Sequence, residues 1–146
     1  MTLENLLRIG KLKVHAASKV EIDRLLAAAE RALGDASVKG LSSDSRLDLA
    51  YRAIMQAALA AMLASGYRPA TSEPGHHQLL IQALPKTAGI AAERIRVLDA
   101  YRSARNLADY RGVPVSDAIA AECIAEARSM LADVRAWIGA HGTDLV

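Results

Sequence analysis

The chain has 146 residues and a formal net charge of +2 at pH 7, from 18 basic and 16 acidic side chains. This length predicts a single domain over residues 1–146, and the small net charge excludes an attraction to nucleic acid over the whole surface. Hydrophobic residues make up 52% of the sequence although aromatic residues make up 3% and phenylalanine is absent. This composition favours closely packed helices, because strands are enriched in aromatic and β-branched residues.

The sequence also indicates a compartment. Its one cysteine, Cys123, excludes a disulfide framework within the chain and is compatible with a reducing environment. The first residues lack the charge pattern of a secretory signal, and the most apolar run, residues 53–64, is too short to span a bilayer. We therefore expect a cytoplasmic protein with no membrane partner.

The first third of the chain predicts two helices and a loop. A short helix covers residues 2–9. Ser18 and Glu21 have the spacing of a capping box, in which each side chain bonds a backbone N–H at the start of a helix. That helix is expected to end at Gly34, and residues 35–45 are typical of a loop that finishes in an N-cap.

The middle of the chain predicts a buried helix over residues 45–65, because this segment is apolar nearly all round beyond its first turns. Small side chains repeat on it at steps of three and four, which lets another helix approach closely; they are Ala53, Ala57, Ala60 and Ala64. A short helix follows over residues 74–84, with Pro74 at its first position and Pro85 after its end.

The last third predicts two long helices. One covers residues 91–110, a turn covers residues 111–114, and the last helix starts at Val115 or Ser116 before a frayed tail over residues 139–146. Four main helices and one or two short ones predict an all-α fold, an up-and-down bundle of four to six helices.

One helix breaks its own pattern. Leu98 marks the inward face of the helix over residues 91–110, yet at 100° per residue the same seam continues as Arg102, Arg105 and Asp109. An unpaired buried guanidinium costs several kcal/mol, so these charges must pair, line a cleft or meet another chain. A structural ion pair between Arg105 and Asp109 is the simplest alternative.

This helix carries a family resemblance. Residues 102–110, Arg-Ser-Ala-Arg-Asn-Leu-Ala-Asp-Tyr, resemble the late-helix motif of HEPN domains, and residues 51–69 followed by His76-His77 are similar to the helices that precede it there. The resemblance covers about residues 18–138 and implies a helical bundle that dimerises around a basic cleft. In active members of that family an Arg and a His cleave RNA in this cleft without a metal.

The match is incomplete at one position. Arg105 corresponds to the motif Arg and Asn106 to the polar residue after it, but no His follows at the expected spacing. Tyr110, Arg111 and Gly112 stand there when the count starts at Arg105, and Asp109 is among the positions reached when it starts at Arg102. A tyrosine with a pKa near 10 is a poor replacement for a histidine with a pKa near 6.5. We therefore expect a ribonuclease that is weak or inactive, with Arg105, Asn106, Asp109 and Tyr110 as the candidate catalytic residues.

Binding does not need the missing histidine. Arg102, Arg105 and Arg111, together with their dimer mates, would suit a phosphate. His76 and His77 point about 100° apart on a helix and cannot share a metal ion in the usual manner, so no metal site is expected. They are candidate ligand-binding residues and the only spatial substitute for the missing histidine.

These observations leave three hypotheses open. The first is a dimeric HEPN-like protein of a toxin–antitoxin or defence system that binds RNA or a nucleotide without a cofactor. The second is a non-enzymatic module that dimerises, or that docks a nucleotidyltransferase-like or antitoxin partner, through features such as the row of small side chains from Ala53 to Ala64. The third is a helical bundle with an enclosed apolar pocket for a small molecule remote from Arg105.

Overall fold

The computed structural model describes residues 2–71 and 75–141 and confirms the all-α fold. Within this part, the helices and strands follow one another as α1 (Leu3–Arg8), β1 (Leu12–Val14), α2 (Lys19–Ala36), α3 (Ser43–Ala64), β2 (Tyr67–Pro69), α4 (His76–Gln82), α5 (Leu84–Thr87), α6 (Ala92–Arg111) and α7 (Asp117–His141). Their buried side chains form one hydrophobic cluster.

The helix α3 is the centre of this cluster and packs chiefly against α2 and α7. Ala53, Ala57 and Ala60 are at most 1% exposed, so the small side chains do bring helices close together. They do so inside the chain, which leaves these three alanines no free surface for a dimer. Among the described helices only α3 is long and apolar enough to cross a membrane, and 61% of its apolar window is buried, as in the core helix of a globular protein.

The helix α2 runs two residues beyond its predicted end. Gly34 lies inside the helix, which continues to Ala36 and is closed by Ser37, whose hydroxyl donates to the Leu33 carbonyl at 3.1 Å. These two extra residues are favoured because they fully bury Ala36. The following loop is correspondingly shorter than predicted, since Ser42 and not Ser45 is the N-cap of α3.

Two short strands were not expected from the sequence. β1 and β2 pair antiparallel, with Leu12 opposite Pro69 and Val14 opposite Tyr67. Gly66, at a φ of 94°, turns the chain from the end of α3 into β2, and Leu12 is 1% exposed. Residues 11–14 alternate polar and apolar side chains, which is the period of a strand, but the run is too short to stand out among helical patterns.

The predicted helix over residues 74–84 is two helices. α4 begins at His76, and α5 follows it with Pro85 in its first turn, where the missing N–H of proline leaves no helical hydrogen bond unmade. Pro85 therefore begins a helix instead of following one. Pro74 lies outside the described residues.

The two long C-terminal helices agree with the prediction except at their ends. Gly112, at a φ of 66°, closes α6 as its C-cap. Ser116 accepts a hydrogen bond from the Ile119 N–H at 3.1 Å and caps α7. The helix α7 continues past Gly139 to His141, so residues 139–141 of the predicted frayed tail are helical; residues 142–146 lie outside the described part.

Arg94 connects α6 to α7 through a network of ion pairs and a hydrogen bond that sequence reasoning missed. Its guanidinium pairs with Glu126 and Asp133 and donates to the Ser129 hydroxyl at 2.8 Å. Burial alone would lower the pKa of Arg94, but the hydrogen bonds to the two carboxylates more than offset this and raise it. The three α7 residues are spaced three and four positions apart, so they lie on one face of that helix.

A close contact joins the loop before α6 to the end of α7. Gly89 in this loop has a φ of 65°, and a Cβ atom added there would overlap Cζ3 of Trp137. Both the backbone conformation and the indole ring therefore require glycine at this position.

Candidate functional site

A cleft of about 600 Å³ extends along α3, and we call it the α3 cleft. Walls come from α4, β2 and the start of α2, and Arg105 is the only contribution of α6. One face of α3 forms the floor, because side chains at steps of three and four lie on the same side of a helix. These floor residues are Asp48, Tyr51, Arg52, Met55, Gln56, Leu59 and Leu63.

Arg105 is held at one end of the α3 cleft by two carboxylates. Its Nε donates to Oδ1 of Asp48 at 3.1 Å, and Oδ2 of Asp109 lies 3.9 Å away. The side chain is 37% exposed. The predicted pair with Asp109 thus exists, but the closer partner belongs to α3. Arg105 both pairs and lines a cleft, which are two of the three outcomes that its position in the sequence allows.

Tyr51 joins this end of the cleft to the core. The Arg105 guanidinium carbon lies 5.3 Å from the centroid of its ring, within the range of a cation–π contact. Tyr51 is 3% exposed, and its hydroxyl has no hydrogen-bond partner in the described part of the chain. Burial raises the pKa of this hydroxyl, although Arg102 and Arg105 oppose the shift.

Both candidate histidines line the α3 cleft. His76 is half-buried and His77 is exposed, and their rings meet edge to face with centroids 4.4 Å apart. Partial burial lowers the pKa of His77, and the nearby His76 and Arg105 lower it further. Because this pKa lies below 6.5, His77 is mainly neutral at pH 7 and offers a nitrogen that can accept a proton.

The other end of the cleft contains a contact between His15 and Glu21, whereas the sequence predicts that Glu21 takes part in a capping box with Ser18. Ser18 accepts a hydrogen bond from the Glu21 N–H at 3.2 Å, as a capping box requires. The Glu21 carboxylate, however, contacts Nε2 of His15 at 2.8 and 3.1 Å instead of the Ser18 N–H. The β1–β2 ribbon makes this possible, because the His15 N–H donates to the Gly66 carbonyl and fixes the histidine beside the start of α2.

Two further arginines line the cleft with their charges unpaired. Arg52 on α3 and Arg68 on β2 are exposed, and neither has a hydrogen bond or ion pair with any described residue. With Arg105 they give three guanidinium groups against the carboxylates of Asp48 and Glu21. Among the described lining residues this leaves one excess positive charge with every histidine neutral, and Asp109, which contacts Arg105 from outside the lining, offsets it at that end of the cleft.

The remaining predicted residues lie outside the cleft lining. Arg102 donates to Asp99 at 2.8 Å, a hydrogen bond that raises the pKa of Arg102. Tyr110 is 84% exposed, and Arg111 is exposed beside it. Asn106 is half-buried on α6. The structure therefore brings Arg105 together with the two histidines and separates it from the tyrosine at the motif position.

Other groups in the described residues offer little chemistry. Burial raises the pKa of the Cys123 thiol to about 12, so the sulfur stays protonated and unreactive at neutral pH. Across residues 2–71 and 75–141 no cluster of three or more His, Cys, Asp or Glu side chains could hold a metal ion. What the α3 cleft can do is bind an anion at its arginines and exchange a proton at His77.

The cleft residues that sequence reasoning missed come mainly from α3 and β2. Asp48 and Arg52 precede the apolar part of α3 and lie on the same face as Met55 and Leu59, so helical spacing could have grouped them. No such signal exists for Arg68, because its place depends on pairing between strands that are far apart in sequence.

The sequence matches no protein-family model, and no curated protein matches it. The HEPN resemblance therefore remains a prediction.

Proposed function

We propose that this protein binds the phosphate groups of RNA or of a nucleotide in the α3 cleft, with Arg105 as the principal contact. The observation that carries the proposal is that Arg105 shares one cleft with both histidines and with two arginines that have no ionic partner among residues 2–71 and 75–141. A guanidinium binds phosphate through charge-assisted hydrogen bonds, which are the stronger kind. The cleft volume of about 600 Å³ lies within the range of sites for small ligands.

The proposal includes a cytoplasmic HEPN-like protein that acts in a toxin–antitoxin or defence system as a dimer. Strong ribonuclease activity through the motif tyrosine is not part of it, because the exposed Tyr110 lies outside the cleft that holds Arg105. If the protein does cleave RNA, His77 is the group beside Arg105 that can accept a proton.

The test compares Arg105→Ala with Arg96→Ala. Arg96 is an exposed arginine on the same helix that does not line the cleft, so its loss changes the net charge equally. Binding of fluorescent RNA and of a labelled nucleotide is measured by anisotropy, and the RNA is checked for cleavage on gels. We expect Arg105→Ala to weaken binding by about tenfold or more and Arg96→Ala to leave it unchanged. Equal binding by both variants would refute the proposal.

A second candidate function, docking of another chain, is favoured by the C-terminal end of α6. Leu107, Tyr110 and Val113 are 45%, 84% and 46% exposed, and the Val113 N–H donates to the Leu107 carbonyl, which brings these two residues together. Exposed apolar side chains close together are typical of an interaction surface. We expect Tyr110→Glu to make a dimer dissociate in analytical ultracentrifugation, while Val20→Glu, at a 64% exposed position on α2, does not.

A further inference from the structure

The α3 cleft is charged at both ends and apolar between them. Arg105, Arg52 and His77 lie at the end near Asp48, whereas Arg68 and the His15–Glu21 pair lie at the end near Leu63. Asp48 and Leu63 are fifteen positions apart on α3, which is about 22 Å at 1.5 Å per residue. Because Arg105 and Arg52 lie beside the start of this stretch and β2, with Arg68, follows its end, the positive groups lie toward opposite ends of the α3 cleft.

A ligand that uses both ends must be extended. Consecutive nucleotides of a stacked strand are separated by about 3.4 Å along the strand, so one nucleotide at Arg105 cannot also place its phosphate at Arg68. A strand of several nucleotides can. Single-stranded nucleic acid is bound in general by positive grooves that follow the backbone while the bases stack on aromatic side chains, a place that apolar side chains take in the α3 cleft.

The middle of the cleft has the chemistry that a base requires. Met55 and Leu59 provide an apolar floor, and Leu80 of α4 also lines the cleft. Gln56 also lines this part, and its Oε1 atom is buried without a hydrogen-bond partner among the described residues. An unpaired buried acceptor is unfavourable, and the N–H edge of a base would satisfy it after a small rotation of the amide.

We infer that the α3 cleft binds single-stranded RNA lengthwise, with one phosphate at Arg105 and Arg52, a base on Met55 and Leu59, and a later phosphate at Arg68. This inference rests on the proposed function and adds to it the length of the ligand, its direction along α3 and a second phosphate site. It assigns Arg68 a role that depends on ligand length, which Arg105 does not have.

The experiment measures affinity against ligand length. Wild type, Arg105→Ala, Arg68→Ala and the control Arg96→Ala are titrated with uridine monophosphate and with uridine di-, tetra- and hexanucleotides. Thermal unfolding confirms that each variant is folded, which is expected since all three arginines are at most partly buried. Affinity of the wild type should rise from the mononucleotide to the hexanucleotide.

The two arginines should then differ. Arg105→Ala should weaken every ligand by about tenfold or more, whereas Arg68→Ala should weaken only the longer oligonucleotides by that factor. For the hexanucleotide, Arg68→Ala should also reduce the slope of log affinity against log salt by about 0.7, the value for one phosphate contact with a single strand.

Each outcome decides between the two proposals. If affinity is independent of length and Arg68→Ala changes nothing while Arg105→Ala weakens all ligands, the lengthwise mode is overturned and the phosphate site at Arg105 stands. If no nucleotide of any length binds, both are overturned. Tighter binding of laurate than of the hexanucleotide, lost in Arg105→Ala, would show that the cleft accepts an apolar chain and would also overturn the RNA mode.

Discussion

Replacing Asp48 with asparagine should make the α3 cleft a better anion site. The Asp48 carboxylate accepts a hydrogen bond from Arg105 at 3.1 Å, so a phosphate must compete with it for the same guanidinium. The negative charge of the Asp48 carboxylate also repels the negative charge of a bound phosphate. Asparagine keeps the shape and can still accept the hydrogen bond, but it removes the charge.

The size of the effect follows from the exposure of the pair. The side chains of Arg105 and Asp48 are 37% and 52% exposed, and ion pairs with this access to water contribute only about 0.2–1 kcal/mol. Since about 1.4 kcal/mol corresponds to a tenfold change in affinity, Asp48→Asn should tighten phosphate binding by up to about fivefold. The free energy of unfolding should fall by no more than about 1 kcal/mol.

The assay is a titration of labelled RNA at low and moderate salt, with Asp99→Asn as the matched control. Asp99 pairs with Arg102 outside the cleft, so its replacement changes the net charge equally without releasing Arg105. We expect the gain for Asp48→Asn to shrink as salt screens the charges. A loss of affinity in Asp48→Asn, or an equal gain in Asp99→Asn, would contradict the competition between Asp48 and phosphate.

Three further changes test the fold and the site. Gly89→Ala should lower the free energy of unfolding in urea by about 2–4 kcal/mol, because alanine disfavours the positive φ and its Cβ would contact Trp137. Gly112 has a similar φ but open space around it, so Gly112→Ala should lower the free energy of unfolding by only about 1–2 kcal/mol. Arg94→Met should destabilise by about 1–3 kcal/mol in the same assay, and Arg96→Met by less than about 0.5 kcal/mol. His77, with its lowered pKa, is neutral above pH 6.5 and gains charge only below it, so RNA affinity should rise on acidification below about pH 6.5 and less so in His77→Gln.

The helices were predictable because their sequence signals are local. Leu98 and Tyr101 are buried on α6 as the helical period requires, and Ser18 caps α2 as its spacing to Glu21 indicates. The errors occur where contacts distant in sequence decide. Burial of Ala36 extends α2 past Gly34, and pairing with β2 makes β1 a strand.

The candidate site was predictable only in part for the same reason. Arg105 was identified because a charge on an inward seam is locally anomalous, and the histidines because they are adjacent at the start of a short helix. Nothing local places Arg68 or His15 in the same cleft, since the ribbon that carries them forms only in the folded chain. The contact between His15 and the Glu21 carboxylate likewise depends on tertiary structure.

The position of α3, with one face in the core and another in the cleft, sets how the site opens. Backbone amides of α3 should exchange hydrogen only through global unfolding, because eleven of its residues are buried, while α4 buries only Leu80 and Ile81 and should open locally. The two sides of the cleft thus differ in kinetic protection. A ligand that bridges them should slow exchange in α4 to a rate approaching that of α3, which makes α4 amides a direct probe of occupancy.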